Sequence, residues 1–313
     1  MIKKDTQGVT FAKGFTAAGV KAGIKKSGNL DVAVIYTKTQ AVVAGTFTQN
    51  KVAAAPVYVS KEVVATGTAH AIVANAGCAN ACTGQQGLDD AHKMAQIAAD
   101  ELGVNADDVI VGSTGVIGVN LPMDKLEAGI KDAVANLSAD GSGNAGRAII
   151  TTDTHSKSVT CEFELSGKTV RMGAIAKGSG MIRPNMATML CYITTDIAID
   201  QALLQKAVSG CVEKSFNMIS VDGDMSTNDM VIVLANGEAN NAKITEENAD
   251  YQIFFDKLMM LCTELAKQIA ADGEGASKFL TINVKGAKSF ADAKTVGMAI
   301  ANSPLVKLSL IHI

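Results

Sequence analysis

The sequence predicts an α/β fold, with mixed sheets sandwiched between helices, and three observations carry that prediction. Short apolar, β-branched runs bounded by polar or glycine-rich turns recur along the chain, as at 69–75, 109–118 and 230–234. Between them lie stretches with apolar residues at helical spacing, such as Leu88, Ala91, Met94 (or Ala95), Ala98 and Leu102. The two kinds of element mix without strict βαβ alternation, and hairpin signals point to a largely antiparallel or mixed sheet with helices packed on it. The 313 residues, 48% of them hydrophobic, suffice for a sizeable core in one large domain or two.

In chain order, 8–18 reads as a strand with glycine breaks. Residues 30–37 and 41–48 read as two strands joined by a short polar turn, and 57–60 as a further short strand. The run 69–75 leads through an amide- and glycine-rich loop, 75–87, into a helix over 88–102. Residues 109–118 form a strand running into Gly112-Ser-Thr-Gly115, and Pro122 starts a helix to about 137. A polar loop, 138–146, precedes a strand over 147–154. The pair 159–165 and 169–176 reads as a hairpin turning at Ser166-Gly-Lys168. After a strand at 189–195 comes a helix over 200–216 with Asp200 at its N-cap. The acidic stretch 218–229 lacks EF-hand spacing and reads as a polar turn near the site rather than a metal loop. A buried strand at 230–234, a long helix over 246–271, a strand at 279–284 and a helix over 289–302 complete the chain.

Composition narrows the function. The net charge is −3, Trp is absent and no basic block occurs, which argues against a nucleic-acid or anionic-membrane partner. No apolar run reaches membrane-spanning length, and no apolar segment of a signal peptide follows Lys3 and Lys4. The six cysteines form no C-x-x-C pair and no histidine lies at ligand spacing, so neither a metal site nor a cofactor is expected.

The chemistry centres on Thr188, which lies between strand-like runs behind Gly178, Gly180 and Pro184. A threonine hydroxyl needs a base, and no histidine is placed to serve. A threonine's own α-amine can serve if the threonine is N-terminal, and its ordinary pKa of about 8 suits that task. Cleavage of the Ala187–Thr188 bond, by attack of the Thr188 hydroxyl on the preceding carbonyl, would create that terminus. Spacing alone favours a plain β-turn-β connection. Gly112-Ser-Thr-Gly115 offers backbone N–H groups and a hydroxyl at one point, as an oxyanion or phosphate site requires, and also fits an ordinary tight turn. Glu274, between two glycines, reads as a solvated surface carboxylate.

Five stretches together resemble the ArgJ family, the ornithine acetyltransferases or glutamate N-acetyltransferases of arginine biosynthesis. These are Lys177-Gly-Ser-Gly-Met-Ile-Arg-Pro-Asn-Met-Ala-Thr-Met-Leu190, Asn75-Ala-Gly-Cys-Ala-Asn-Ala-Cys-Thr-Gly84, Gly112-Ser-Thr-Gly-Val-Ile-Gly118, Ile150-Thr-Thr-Asp-Thr154 and Asp272-Gly-Glu-Gly-Ala-Ser-Lys278. The resemblance implies a DmpA/ArgJ-like fold of the N-terminal-nucleophile type. It implies cleavage at Ala187–Thr188 into an α chain, 1–187, and a β chain from 188. Thr188 would take acetyl from N-acetylornithine, release ornithine, and pass acetyl to glutamate, giving N-acetylglutamate. Thr114 and Gly115 match the oxyanion-hole positions, and Thr151, Lys177, Thr188 and Glu274 the substrate-binding ones. Lys177 would suit a substrate carboxylate, and Glu274 the ornithine ammonium.

The resemblance further implies a cytoplasmic α2β2 heterotetramer. Some members also use acetyl-CoA, and these residues do not decide whether this chain does. The resemblance ends near residue 307, where family members run on for several dozen residues. It therefore implies a truncated β chain, 188–307, with 308–313 a non-native tail. Two rival readings stand beside the transferase: an aminopeptidase or amidase of the DmpA type using the same nucleophile, and a non-enzymatic binding or scaffold protein.

Overall fold

The computed structural model of the chain describes residues 2–4, 7–183 and 189–312, with 2–4 as backbone alone. The elements are β1 (Ile2–Lys4), β2 (Phe15–Val20), β3 (Val32–Phe47), α1 (Ala55–Thr66), β4 (Thr68–Cys78), α2 (Gly84–Leu102), β5 (Val109–Val116), α3 (Met123–Ala135) and α4 (Ser142–Ile149). They continue with β6 (Lys157–Leu165), β7 (Lys168–Lys177), β8 (Leu190–Thr195), α5 (Gln201–Glu213), β9 (Met230–Ala235), α6 (Ala249–Ala271), α7 (Phe290–Ala301) and α8 (Pro304–Ser309). Among the described residues the strands form one sheet in the order β1-β6-β7-β8-β9-β3-β4-β5, with β2 paired to β3 off that path. The pairs β4/β5 and β8/β9 are parallel and the others antiparallel. The expected mixed sheet is therefore present.

The long strand β3 joins the two halves. Residues 32–37 pair with β2 and residues 42–47 with β9, while the pairing to β4 changes register between Tyr36 and Ala41. The intervening Lys38, Thr39 and Gln40 are exposed. The two halves of the sheet pack face to face. Ile35, Ile72 and Ile110 from β3–β5 share a buried cluster with Ile175, Tyr192 and Ile232 from β7–β9. The contact is close: a Cβ on Gly112 would lie 2.1 Å from the Tyr192 hydroxyl.

Period-2 alternation sends the other faces outward to the helices. Cys191, Ile193, Val231 and Val233 pack under Leu204 and Val208 of α5 and Phe254 and Leu258 of α6. Val32, Val34, Val73 and Val111 pack under Met94 and Ala98 of α2 and Leu126 and Ile130 of α3. The layers run helix, sheet, sheet, helix. Each such fully buried aliphatic side chain contributes roughly 1.5–3 kcal/mol by leaving water. Among the described residues, no helix is long and apolar enough to cross a membrane.

Four local expectations are corrected. Residues 57–60 lie in helix α1, not in a strand. Pro56 occupies its first turn, Gly67 closes it in a left-handed conformation, and Val57, Ser60, Val63 and Val64 are buried. Packing of those valines outweighs their β preference. The runs 30–37 and 41–48 belong to one bent strand, because Lys38-Thr39-Gln40 has no residue suited to a tight hairpin turn. Residues 142–149 form helix α4 rather than loop and strand, with Ala145, Ala148 and Ile149 on its buried face. Residues 279–284 are irregular, and Phe279 and Leu280 are exposed, since no described strand pairs with them.

The hairpin is as expected. Ser166 and Gly167 both have positive φ, the requirement of a tight two-residue turn between β6 and β7. The N-cap at Asp200 is correct in position, but its side chain makes no capping bond and pairs with Lys243 instead.

Candidate active site

Ala187 and Thr188 lie outside the described residues. The chain on both sides of them is held by the acidic stretch 218–229. Asp222 accepts hydrogen bonds from the Met181 N–H at 2.5 Å and the Ile182 N–H at 2.9 Å. The Val221 N–H donates to the Ile182 carbonyl at 2.9 Å. Beyond Thr188, Asp229 Oδ1 accepts from the Met189 N–H at 2.8 Å, and the Met230 N–H reaches the Met189 carbonyl at 3.0 Å. Those carboxylates thus serve as acceptors for backbone N–H groups, which is the polar turn expected of this stretch. Its neighbour Asn228 donates to the Ala79 and Ser113 carbonyls, tying the turn to the 75–84 loop and to the end of β5.

Thr114 and Gly115 are delivered by β5. The parallel ladder with β4 slips in register at Gly77 and Cys78, bringing two backbones together. A Cβ on Gly115 would lie 2.3 Å from the Gly77 carbonyl carbon, and φ there is +134°. Only glycine fits both conditions. Gly115→Ala is expected to lower stability by about 1–3 kcal/mol, read as a fall in the urea midpoint at unchanged slope.

Lys177, at the end of β7, points into the same place. Its ammonium donates to Thr151 Oγ1 at 2.8 Å and Thr114 Oγ1 at 3.3 Å, and lies 4.0 Å from Asp153 Oδ2. Burial lowers its pKa. The Asp153, Asp229 and Glu274 charges oppose the shift, and Lys157 adds to it. Three of the expected site residues, Thr114, Thr151 and Lys177, are therefore joined by hydrogen bonds. Glu274 stands at the lip. Its N–H donates to the Ser179 carbonyl at 2.9 Å, and its carboxylate lies over Gly180, where a Cβ would come within 2.4 Å of it. It also lines a cavity of about 570 Å³ bounded by α6, α7 and 275–282.

Sequence reasoning missed what holds these residues. Lys157 is fully buried and donates to Asp153 Oδ1 and Asp272 Oδ2, each at 2.6 Å. Asp153 also accepts from the Gly178 N–H at 2.7 Å and the Thr151 N–H at 3.1 Å. Asp272 accepts from the Thr154 N–H and hydroxyl, and its carbonyl accepts from Ser179 Oγ at 2.6 Å. One buried ammonium thus pins three turns: 151–154, 178–180 and 272–274. Burial alone would raise the Asp153 carboxyl, but the Lys177 and Lys157 charges and the Gly178 N–H outweigh it and hold it low. Asp272 is likewise held low, burial being outweighed by Lys157 and Thr154. Asp153 and Asp272 stand inside two of the resembling stretches. Lys157 carries no local signal.

The chain is similar to known proteins along most of its length. The ArgJ family model matches residues 16–312. The arginine biosynthesis bifunctional protein ArgJ of Symbiobacterium thermophilum is 50% identical over 305 residues, covering 97% of this chain and 76% of that protein. A solved ornithine acetyltransferase from Mycobacterium tuberculosis, complexed with ornithine, is 40% identical with a TM-score of 0.55, covering 61% of this chain and 100% of that chain. A Burkholderia β-aminopeptidase shares the fold alone, at 11% identity, TM-score 0.54 and 87% coverage of each chain. By sequence and by structure, the chain belongs to the ArgJ family.

Proposed function

We propose that the chain transfers acetyl from N2-acetylornithine to glutamate, through an acetyl ester on Thr188 that forms after self-cleavage at Ala187–Thr188. The observation that carries this reading is the joining of Thr114, Thr151 and Lys177 by hydrogen bonds at the mouth of the segment holding Thr188. Family membership and the 40% identical ornithine acetyltransferase, solved with ornithine, support the choice of substrates. That solved chain is matched over its whole length by 61% of this one, which agrees in size with a fragment of 187 residues out of 313.

In this reading the Thr188 amine takes the hydroxyl proton as Oγ attacks the acetamide carbonyl. The tetrahedral oxyanion rests on the Thr114 hydroxyl and the Gly115 N–H. The amine then protonates the departing ornithine nitrogen, the C–N bond breaks, and the acetyl ester remains. The α-amine of glutamate attacks that ester, and the same proton traffic returns Thr188 to its starting state. Lys177 is buried beneath Thr114 and Thr151. That position suits it to bring positive potential to the oxyanion site. The expected direct contact with a substrate carboxylate would require an opening between the two threonines.

Glu274, exposed at the lip, pairs with the ornithine side-chain ammonium. Removing a hydrogen bond to a charged group costs about 1.5–3 kcal/mol, so Glu274→Gln is expected to raise KM for N-acetylornithine roughly 10- to 100-fold. KM for glutamate is the internal control. The cleaved pieces assemble as a cytoplasmic α2β2 heterotetramer without metal or cofactor, and acetyl-CoA enters only as a second acetyl donor.

The deciding assay mixes N-acetylornithine with glutamate and follows both products. N-acetylglutamate and ornithine in equal amounts are expected. Free acetate without N-acetylglutamate would mean a hydrolase of the amidase type, and neither product a binding protein. Sedimentation reads the assembly, and acetyl-CoA replaces N-acetylornithine to test the second donor.

A further inference from the structure

The α-amine of Thr188 can act as a base only after the Ala187–Thr188 bond is cut. While that bond is intact, the same nitrogen belongs to an amide and has no basic lone pair. The first proton, from the Thr188 hydroxyl, therefore needs another acceptor. We propose that Asp229 is this acceptor, the base of the cleavage step. The inference rests on the self-cleavage described above.

Three observations support this assignment. Its Oδ1 is held at 2.8 Å by the N–H of Met189, the residue that follows Thr188. Covalent geometry alone keeps the Thr188 nitrogen and hydroxyl within about 5 Å of Met189 N. The side chain is fully buried, and its Oδ2 has no hydrogen bond of ordinary geometry to a described residue, although the nearby Ser226 hydroxyl favours its anion. A buried, unpartnered carboxylate oxygen is costly to keep and calls for a partner. The turn that carries it is tied down at three points: Thr48 N donates to the Asp229 carbonyl, Ala54 N to the Thr227 carbonyl, and the Asn228 amide to the Ser113 carbonyl of β5, next to Thr114. The same short turn thus fixes the base and one wall of the oxyanion site.

The charge of Lys177 acts on Asp229, and its Nζ is already donating to Thr151 and Thr114. In both bonds the Lys177 nitrogen is the donor, and its charge favours the anionic form of Asp229. Burial acts the other way and raises the Asp229 carboxyl well above the ordinary range, which makes its anion a stronger base than an exposed carboxylate.

The step balances. Asp229 Oδ2 takes the proton as the Thr188 Oγ–C bond to the Ala187 carbonyl forms, and Thr114 and Gly115 receive the oxyanion. The protonated Asp229 then delivers that proton to the Thr188 nitrogen as the C–N bond breaks. An ester between Ala187 and Thr188 Oγ results, and the new amine is free. Water, deprotonated by that amine, hydrolyses the ester to an Ala187 carboxylate and a free Thr188.

The test follows cleavage of newly synthesised, pulse-labelled full chain on denaturing gels, with mass spectrometry of the fragment that begins at Thr188. Asp229→Asn keeps size and an acceptor for the Met189 N–H but removes the base. It is expected to fold with an unchanged melting temperature and to cleave at least about 100-fold more slowly. Cleavage of this variant at the wild-type rate overturns the role of Asp229 and leaves the cleavage reading intact. A wild-type chain that never cleaves overturns both. If Asp229→Asn fails to fold, Asp229→Ala decides: acceleration of its cleavage by sodium formate but not by sodium chloride supports the proposal, and no acceleration overturns it.

Discussion

Thr188→Ala is expected to remain a single chain and to transfer no acetyl. In the proposed reaction the hydroxyl is required twice. It attacks the Ala187 carbonyl to open the chain, and it carries the acetyl group afterwards. The variant also lacks the N-terminal amine, because that amine exists only after cleavage. Loss of a covalent nucleophile and its base together removes the route itself, so turnover should fall to background. The substitution is small, and the neighbouring chain is anchored independently by Asp222 at Ile182 and by Asp229 at Met189. The fold should therefore persist, and a melting curve close to that of wild type should accompany the intact band. A Thr188→Ala chain that still splits at this position would sink the mechanism.

The largest effect on stability is expected from Lys157→Met. Lys157 bonds Asp153 and Asp272 at 2.6 Å each, and its side chain has no solvent exposure. Methionine fills a similar volume but leaves two carboxylates facing each other without their cation. Removing one partner of a buried ion pair costs about 3–5 kcal/mol, seen as a large fall in the urea midpoint. The exposed pair Lys131–Glu127, on one face of α3, provides the contrast. There, Lys131→Met should leave the midpoint unchanged, because solvent and salt already screen the pair.

The same triad sets a pH dependence. The folded-state pKa values of Asp153 and Asp272 are held below the ordinary range. Their contribution is therefore fully present above the unfolded carboxylate pKa of about 4, and is lost as pH falls through the lower folded values. Wild-type stability should drop on acidification below about pH 4, and Lys157→Met should lose that part of the slope. Stability that is flat with pH in that window would contradict the charged triad.

What could be read from sequence alone was whatever repeats over a few residues. The β6–β7 hairpin was legible because Ser166-Gly167 is a turn pair between alternating strands. Helices α2 and α5 were legible from one apolar stripe each, and five short stretches sufficed to indicate the family, which in turn implies Thr114, Gly115, Thr151, Lys177, Thr188 and Glu274 as site residues. Only the tertiary structure decided the rest. Helix α1 exists because its valines find a core to fill, which their local β preference does not reveal. β3 is one bent strand because β2 and β9 claim its two ends from distant parts of the chain. The ion triad joins Lys157 to Asp272 across 115 positions. The Asp229 carboxylate meets the Met189 N–H across 40. Contacts at such separations leave no period in the sequence, because what brings them together is the folding of the two sheet halves onto one core.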